Sequence, residues 1–443
     1  MNNPQVLILA GGEGKRFYPL TKDKSIFPFL GRPLIYHQIK MIKEAGLKEI
    51  AVVANPVNQQ LIKKTAEQFK QVQIKVVVQR QAKGMGQAIL CAENKLSAKP
   101  VLIVNSGDLL KKTLYEKILN LIEHQDPEAV IPGYQTESYF PGGYLETNAD
   151  LITSIIEKPG EGNQPSNLVN LVAHYYKNPE ILLSELKQTE TDRDDHYEKA
   201  IDKLISSGVR FHFVSYSGVW KYLKYPWHVL GMMQVFLKSG LNEQNKAEYI
   251  APNAQIEGPV YLGKGVKVFS GAKIKGPVYI GEDVLIGDNA LVRSSQIGKG
   301  SVVGSNTEIA RSCILDNCWF HRNYVGDSVI DTNVSFGAGT VTANFRLDEH
   351  EVKVKKDKKV DKDEKVKEQI DTSRKKLGAV VGANVRVGVN TSIMPGTFIG
   401  TDSFVGPGLV LGKNIKPGKF CKLDSKLTIV DNKTQVLERK QFK

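Results

Sequence analysis

The stretch "IEGPVYLGKGVKVFSGAKIKGPVYIGEDVLIGDNAL", residues 256–291, carries an aliphatic residue at every sixth position: Ile256, Leu262, Val268, Ile274, Ile280 and Ile286. Glycine follows several of them. This period describes a coil with short flat sides stacked on its neighbours, so that one aliphatic column builds a continuous core. Upstream the pattern reaches back to "IAPNAQ" at Ile250. After "VRSSQ" it goes on as "IGKGSV" and "VGSNTE", and it returns as "VVGANVRVGVNTSIMPGTFIGTDSFVGPGLVLG", residues 380–412. A β-solenoid is therefore expected over 250–430.

The first half follows a different grammar. "VLILA" (6–10), "IAVVA" (50–54), "KVVVQ" (75–79) and "VLIVNS" (101–106) are short apolar runs rich in β-branched residues, suited to strands covered on both faces. Between them, "PLIYHQIKMIKEAG" places Pro33 at a helix start and Gly46 at its stop. "EKAIDKLISSG" repeats this, with Ile201, Leu204 and Ile205 on one face and Gly208 as the stop. Alternation of this kind predicts an α/β domain over 1–228 with a mostly parallel sheet, whose ligands bind at the carboxyl ends of the strands. The helical pattern of "WHVLGMMQVFLKSGLNEQNKAEY" predicts a helical linker over 229–249.

Composition narrows the function classes. With 443 residues the chain is long enough for two or three cores. No apolar run is long enough to cross a bilayer, and the N-terminus lacks a secretory pattern, so a cytoplasmic protein without membrane partners is expected. Cys91, Cys313, Cys318 and Cys421 are too few and scattered for a disulfide framework. Cys313 and Cys318 read better as small buried thiols than as zinc ligands. The net charge is +13, and residues 353–376 hold eleven basic against six acidic side chains. That lysine-rich insertion, about 350–376, mixes both signs and has no aromatic to stack on a base. It reads as a solvated loop or hairpin rather than a nucleic-acid site. The remaining positive surplus favours phosphorylated substrates.

Three motifs sit at strand ends. "LILAGGEGKRFYPLTKDKS" (7–25) runs from strand to glycine-rich turn to cations. Glycines allow backbone N–H groups to surround phosphate oxygens, while Arg16 and Lys24 can neutralise phosphate charge. Taken alone, such a turn could equally be a tight strand–helix connection. "QRQAKGMGQA" (79–88) follows the third apolar run. "VNSGDLL" (104–110) places Asp108 after a buried strand, where a carboxylate suits a hard cation. "PGGYLE", "IIEKP" and "NLVNLVAHYY" come next in order.

Together these motifs resemble the sugar-1-phosphate nucleotidylyltransferases. The second half resembles the left-handed parallel β-helix of the hexapeptide acyltransferases, and the whole chain is similar to the two-domain bacterial and archaeal enzymes that make UDP-N-acetylglucosamine. The left-handed turn is implied by that family alone. The resemblance covers Leu9, Ala10, Gly11, Gly12, Gly14, Arg16, Pro19, Leu20, Thr21 and Lys24 in the opening motif. It implies that Gln79, Gly84 and Met85 contact the base and that Asp108 binds Mg²⁺. It further implies that Gly143, Glu157 and Asn170 hold sugar hydroxyls, with Lys158 on the sugar phosphate. The implied reaction is in-line attack of a sugar 1-phosphate on the α-phosphorus of a nucleoside triphosphate, with a UDP-sugar as the expected product.

In the β-helix, "HRNYVGDSVIDTNVSFGAGTVTANFRLD" (321–348) resembles the family's acetyl-transfer segment. His321 matches its general base, Tyr324 and Asn344 match neighbouring site residues, and Lys376 fits the archaeal-like pattern. Acetyl-CoA as co-substrate and a homotrimer with its acyl site between subunits are further implications.

Several positions depart from the family pattern. Asp23 replaces a proline, and Val172 replaces a glycine. In "GVWKYLKYPWHVL", Tyr222 stands where a second metal-binding aspartate is expected, and Lys224 replaces a glycine. In the β-helix, Ser335 stands for an asparagine, His350 for a lysine, and Ala310 lies near another expected lysine. A neutral phenol is a poor magnesium ligand. Two readings therefore stand at the level of sequence: an active transferase, or a catalytically weakened homologue that binds nucleotide or sugar phosphate as a regulatory or scaffold subunit.

Overall fold

The computed structural model describes residues 3–96, 99–192, 195–359, 365–424 and 430. The apolar runs form strands β1 (Gln5–Ala10), β4 (Glu49–Ala54), β5 (Gln73–Val78) and β6 (Val101–Asn105). Every residue of β1 is buried, as expected of a strand with helices on both faces. A short hairpin, β2 (Pro28–Phe29) and β3 (Arg32–Pro33), leads into α1 (Leu34–Glu44). Helix α2 (Gln59–Ala66), α3 (Gly84–Cys91) and α4 (Lys112–Gln125) connect the next strands. The remaining strands are β7 (Asp108–Leu110), β8 (Ala129–Gln135), β9 (Gly143–Asn148), β10 (Leu151–Glu157), β11 (Leu168–Asn170), β12 (Ala173–Tyr176), β13 (Phe211–Ser215) and β14 (Trp220–Tyr222). Between β12 and β13 lie α5 (Pro179–Gln188) and α6 (His196–Ser206).

Ten strands make one sheet in the order β11-β9-β10-β13-β8-β12-β6-β1-β4-β5. Its β6-β1-β4-β5 portion is parallel throughout. The expected parallel sheet is thus realised on the side of the glycine loop. At β12 the direction reverses, and the other half is mixed, with β13 parallel to β8 and the rest of that half antiparallel. In that half β9 and β10 form a hairpin whose exposed residues are Glu146, Asn148, Thr153 and Ile156.

From Gln244 onward the chain winds as a parallel β-helix with three faces, each a sheet of eight or nine short strands. Val260 pairs with Val278 one coil on, then Tyr279 with Gln296, so coils are 18 and then 17 residues long. Each side buries two residues. The six-residue column Leu262, Val268, Ile274, Ile280 and Ile286 points inward together with the residue two places earlier: Val260, Val266, Ala272, Val278 and Val284. Ile256 stays on the rim, 38% exposed.

The junction differs from the expected linker. Helix α7 (His228–Ser239) ends well before residue 249, and Gln244–Asn245 already pairs with Tyr261–Leu262. The first coil is hidden in the sequence because those two residues are polar and exposed. Helix α7 and Phe29 pack with Cys313, Val329 and Phe398 of the β-helix in one apolar cluster. Polar ties reinforce it: the Leu30 N–H donates to Gln296 Oε1 at 2.7 Å, and Gln296 Nε2 donates to the Pro28 carbonyl at 3.0 Å. Cys313 and Cys318 are buried thiols, and burial pushes Cys318 up to about 12.

The lysine-rich insertion is a hairpin, Lys353–Lys359 against Lys365–Asp371, with Val354 directly opposite Ile370. Its base is not solvated: Val352 and Val354 are buried in the cluster that joins the two halves.

Candidate active site between the glycine loop and Asp108

The carboxyl ends of β1, β5 and β6 open on a cleft of about 390 Å³. Leu9, Gly11, Gly12, Arg16, Lys24, Gln79, Gly84, Met85, Asp108, Gly143, Glu157, Lys158 and Asn170 all line it. Ala10 and Gly14, expected with them at the nucleotide, do not. Ala10 is a buried strand residue whose carbonyl accepts from Asn58 Nδ2 at 2.8 Å, so it supports the loop from behind. Gly14, at φ +64, lies on an adjoining cavity of about 370 Å³ that shares Gly11, Lys24 and Gln79 with the cleft.

Close approach explains the glycine at position 11. A Cβ there would stand 2.1 Å from Gln79 Oε1. Gln79 is itself buried, and among the described residues its Nε2 has no hydrogen-bond partner. A buried orphan amide costs stability unless a ligand satisfies it, so this end of Gln79 is suited to a polar edge such as that of a base. Asp23, the departure from proline, has a local role. It caps the turn that carries Lys24 by accepting from Ser25 N–H at 2.9 Å, and it ties to Asn55, whose Nδ2 also donates to the Gly12 carbonyl.

Asp108 sits opposite Tyr222 in the β7–β14 pair. Its Oδ2 accepts from Asn105 Nδ2 at 2.9 Å, and Trp220 Nε1 stands 3.4 Å from Oδ1. Burial pushes its carboxyl up to about 6, against the pull of these donors and of Lys24 and Lys224. The Tyr222 ring packs on Phe140, Trp220 and His228 at 4.6–5.0 Å. Among the described residues no group of three or more His, Cys, Asp or Glu side chains could hold a metal by itself. Asp108 alone fits a divalent ion that brings phosphate and water ligands with it.

Five cationic side chains line the cleft: Arg16, Lys24, Lys83, Lys158 and Lys224. Burial lowers Lys24, with Arg16 adding to the effect. Lys224 donates to the Pro141 carbonyl and lies over the Phe140 ring. Burial, then Arg16 and Lys158, push it down to about 7.

On the other wall, a Cβ on Gly143 would stand 3.2 Å from Glu157 Oε2 and 3.4 Å from Asn170 Cβ, so these three residues form one patch. Lys158 pairs with Glu157 at 2.6 Å. Behind them, the buried His174 bonds Asn170 Oδ1 through Nε2 and the Tyr197 hydroxyl through Nδ1, both at 2.8 Å. Burial holds His174 down at about 3, so it is neutral. Its Nε2–H donates to Asn170, which leaves the Asn170 amide N–H₂ for a ligand. Val172 also lines the cleft.

Sequence reasoning missed Asn105, Phe140, His196 and Trp220, which also line the cleft or hold Asp108. Asn105 was visible beside "SGD". Phe140 and His196 carry no local signal, since only the folding of β8, β9 and α6 brings them to the site.

In the β-helix, Tyr324 and Asn344 come together, with Asn344 Nδ2 3.2 Å from the Tyr324 hydroxyl and 2.5 Å from Asp327 Oδ2. Asp327 in turn holds Arg311 in a two-point ion pair. Lys376 pairs through its backbone with Phe345 and places its ammonium 5.7 Å from that ring. His321 is exposed on the preceding corner, its N–H held by Asn323 Oδ1. Among the described residues no hydrogen bond ties its imidazole to Tyr324, Asn344 or Lys376.

A family model described as nucleotidyl transferase matches residues 5–236, and one described as hexapeptide repeat of succinyl-transferase matches 277–311 and 378–413. A bifunctional sugar-1-phosphate nucleotidylyltransferase/acetyltransferase of Sulfurisphaera tokodaii is 33% identical over 388 residues, covering 86% of this chain and 90% of the relative. The bifunctional protein GlmU of Methanococcus maripaludis is 30% identical over 386 residues, covering 86% of this chain and 88% of the relative. Among solved structures, a UDP-glucose pyrophosphorylase complexed with UDP-glucose aligns at a TM-score of 0.47 with 19% identity, over 54% of this chain and 99% of that one.

Proposed function

Because the chain belongs to the nucleotidyl transferase family and carries a hexapeptide-repeat β-helix behind that domain, we propose that it is a two-site enzyme of nucleotide-sugar synthesis. In the first site a phosphate oxygen of a sugar 1-phosphate attacks the α-phosphorus of a nucleoside triphosphate. The bond to the bridging oxygen breaks, and pyrophosphate leaves with its electron pair. No protein nucleophile is needed.

The supporting observation is that Arg16, Lys24, Lys158 and Lys224 line one cleft together with the glycine loop and the unpartnered Gln79 amide. Arg16 and Lys24 stabilise charge on the α-phosphate and pyrophosphate, and Lys158 and Lys224 take the sugar phosphate. Gln79 reads the base, with uracil as the preferred candidate, while Gly143, Glu157 and Asn170 hold sugar hydroxyls. Asp108 would hold Mg²⁺, which supplies further neutralisation of phosphate charge when bound. The abundance of cations and the lone carboxylate fit a site where protein ammonium groups do much of the work elsewhere given to a second metal ligand.

In the second site His321 takes a proton from a sugar amine as it attacks the acetyl carbonyl of acetyl-CoA. The C–N bond forms, the C–S bond breaks, and CoA leaves as thiol. Tyr324, Asn344 and Lys376 would place the substrates. We assign the β-helix to a homotrimer. The outward column that registers Trp319 with Ser335, Arg386, Phe404 and Phe420 leaves three large aromatic side chains more than half exposed on one face, which supports self-association. Among the described residues no helix is long and apolar enough to cross a membrane. The substrates of both reactions place the enzyme in the cytoplasm.

The test is a product panel. Each of the four nucleoside triphosphates is paired with glucose, galactose and N-acetylglucosamine 1-phosphates, and products are separated by chromatography. Glucosamine 1-phosphate with acetyl-CoA is run in parallel. A nucleotide sugar in at least one pairing is expected, with the uridine series the most productive. Its absence from every pairing would leave the scaffold reading in its place.

A further inference from the structure

Arg16 walls two spaces. On one side it lines the cleft, and on the other it lines a separate cavity of about 510 Å³ where the glycine loop, the α7 entry, the lysine-rich hairpin and the last coils of the β-helix meet. That volume falls within the range of small-molecule sites.

The cavity has two chemical parts. Its apolar part is aromatic: Tyr225 and Trp227 stack at 4.5 Å with planes 10° apart, and Tyr18 and Phe398 lie beside them. Val354 and Ile370, opposite each other at the base of the hairpin, complete that wall. Its charged part is all of one sign. Lys15, Arg16, Lys355, Lys413 and Lys416 line it, and among the described residues no carboxylate does. Lys15 is partly neutralised by Glu13 at 3.1 Å. The walls are held in place by hydrogen bonds that cross between the parts of the chain: the Tyr18 hydroxyl to the Ile415 carbonyl at 3.2 Å, and Asn414 Nδ2 to the Lys355 carbonyl at 2.8 Å.

Aromatic walls beside unopposed ammonium and guanidinium groups suit a ligand with a flat ring and two or more phosphates. We propose that this cavity is a second, regulatory nucleotide site that takes a nucleoside diphosphate. Its phosphates compete for Arg16 with the phosphates in the cleft, so occupancy slows nucleotidyl transfer. The coupling rests on the function assigned to the cleft, but the binding does not.

Titration calorimetry on the full chain with ADP, CDP, GDP and UDP separates the two. At least one diphosphate is expected to fill two sites per chain. The K413E/K416E variant, which changes two exposed side chains outside the cleft, should weaken one of them about tenfold or more and leave the basal rate unchanged. Gln79→Ala should weaken only the other. Inorganic pyrophosphate, which lacks the ring, should bind the second site at least tenfold more weakly than the diphosphate. A single site for all four diphosphates, an undiminished second site in K413E/K416E, or equal affinity for pyrophosphate would each overturn the proposal. If two sites titrate but the diphosphate inhibits wild type and K413E/K416E equally, the regulatory coupling fails while the cleft assignment stands.

Discussion

Tyr222 lies directly across the β7–β14 pair from Asp108, with its ring packed on Phe140 and His228. The pair therefore offers one carboxylate to a metal. Without nucleotide the wild-type protein should bind Mn²⁺ only at millimolar concentrations, and Tyr222→Asp should tighten that binding severalfold by adding a second oxygen ligand. Electron paramagnetic resonance of free Mn²⁺ measures both. Tight binding by the nucleotide-free wild type would contradict the single-ligand description.

Lys224 gives the cleft a pH signature. Burial, Arg16 and Lys158 push its ammonium down to about 7, against the opposing pull of Glu157. It is charged below that value and neutral above it. Affinity for the sugar phosphate should then fall as pH rises through 7. Lys224→Arg, which keeps its charge, should flatten the decline, and Lys224→Met should weaken binding at pH 6 about tenfold with little further change at pH 8. Profiles of KM against pH for the three proteins test this.

The tie between the halves supports the turn that carries Lys24. Asp331, fully buried in the β-helix, accepts from both the N–H and the hydroxyl of Thr21 through one oxygen, at 2.7 and 2.8 Å. Thr21 is three residues from Lys24. Asp331→Ala removes the acceptor of three donors, the N–H and hydroxyl of Thr21 and the Thr332 N–H, and should cost about 2–3 kcal/mol in denaturant titrations. It should also reduce nucleotidyl transfer, because the turn carrying Lys24 loses its anchor. An unchanged denaturation midpoint would show that the contact contributes nothing.

The β-helix chemistry is separable from the cleft. His321→Ala should lower acetyl transfer about a hundredfold or more while nucleotidyl transfer stays at the wild-type rate. Acetyl transfer that survives this substitution would remove His321 from the mechanism, and the Tyr324, Asn344 and Asp327 cluster would become the place to look for the base.

Local pattern carried much of this. The six-residue column of Leu262 to Ile286 announced the β-helix, and the glycine loop, Gln79 and Asp108 lie at strand ends where a parallel sheet puts its ligands. What stayed hidden depends on distant parts of the chain meeting. The inward residues at Val266 and Val284 share each side with the six-residue column, but a single period does not reveal them. The neutral His174 that orients Asn170 reads in sequence as one more polar residue of "NLVNLVAHYY". The insertion looked solvated because its charges dominate its composition, while two valines decide how its base packs.

Arg16 should matter to charge stabilisation rather than to folding, since it is exposed on the loop. The most direct test is pyrophosphate release from the uridine triphosphate and sugar 1-phosphate pair found most active, measured across magnesium concentration for wild type and Arg16→Ala. Saturable, magnesium-dependent release that drops about a hundredfold or more in the variant is the predicted result. No release at any magnesium concentration, or equal rates in the two proteins, would contradict the assignment of the cleft.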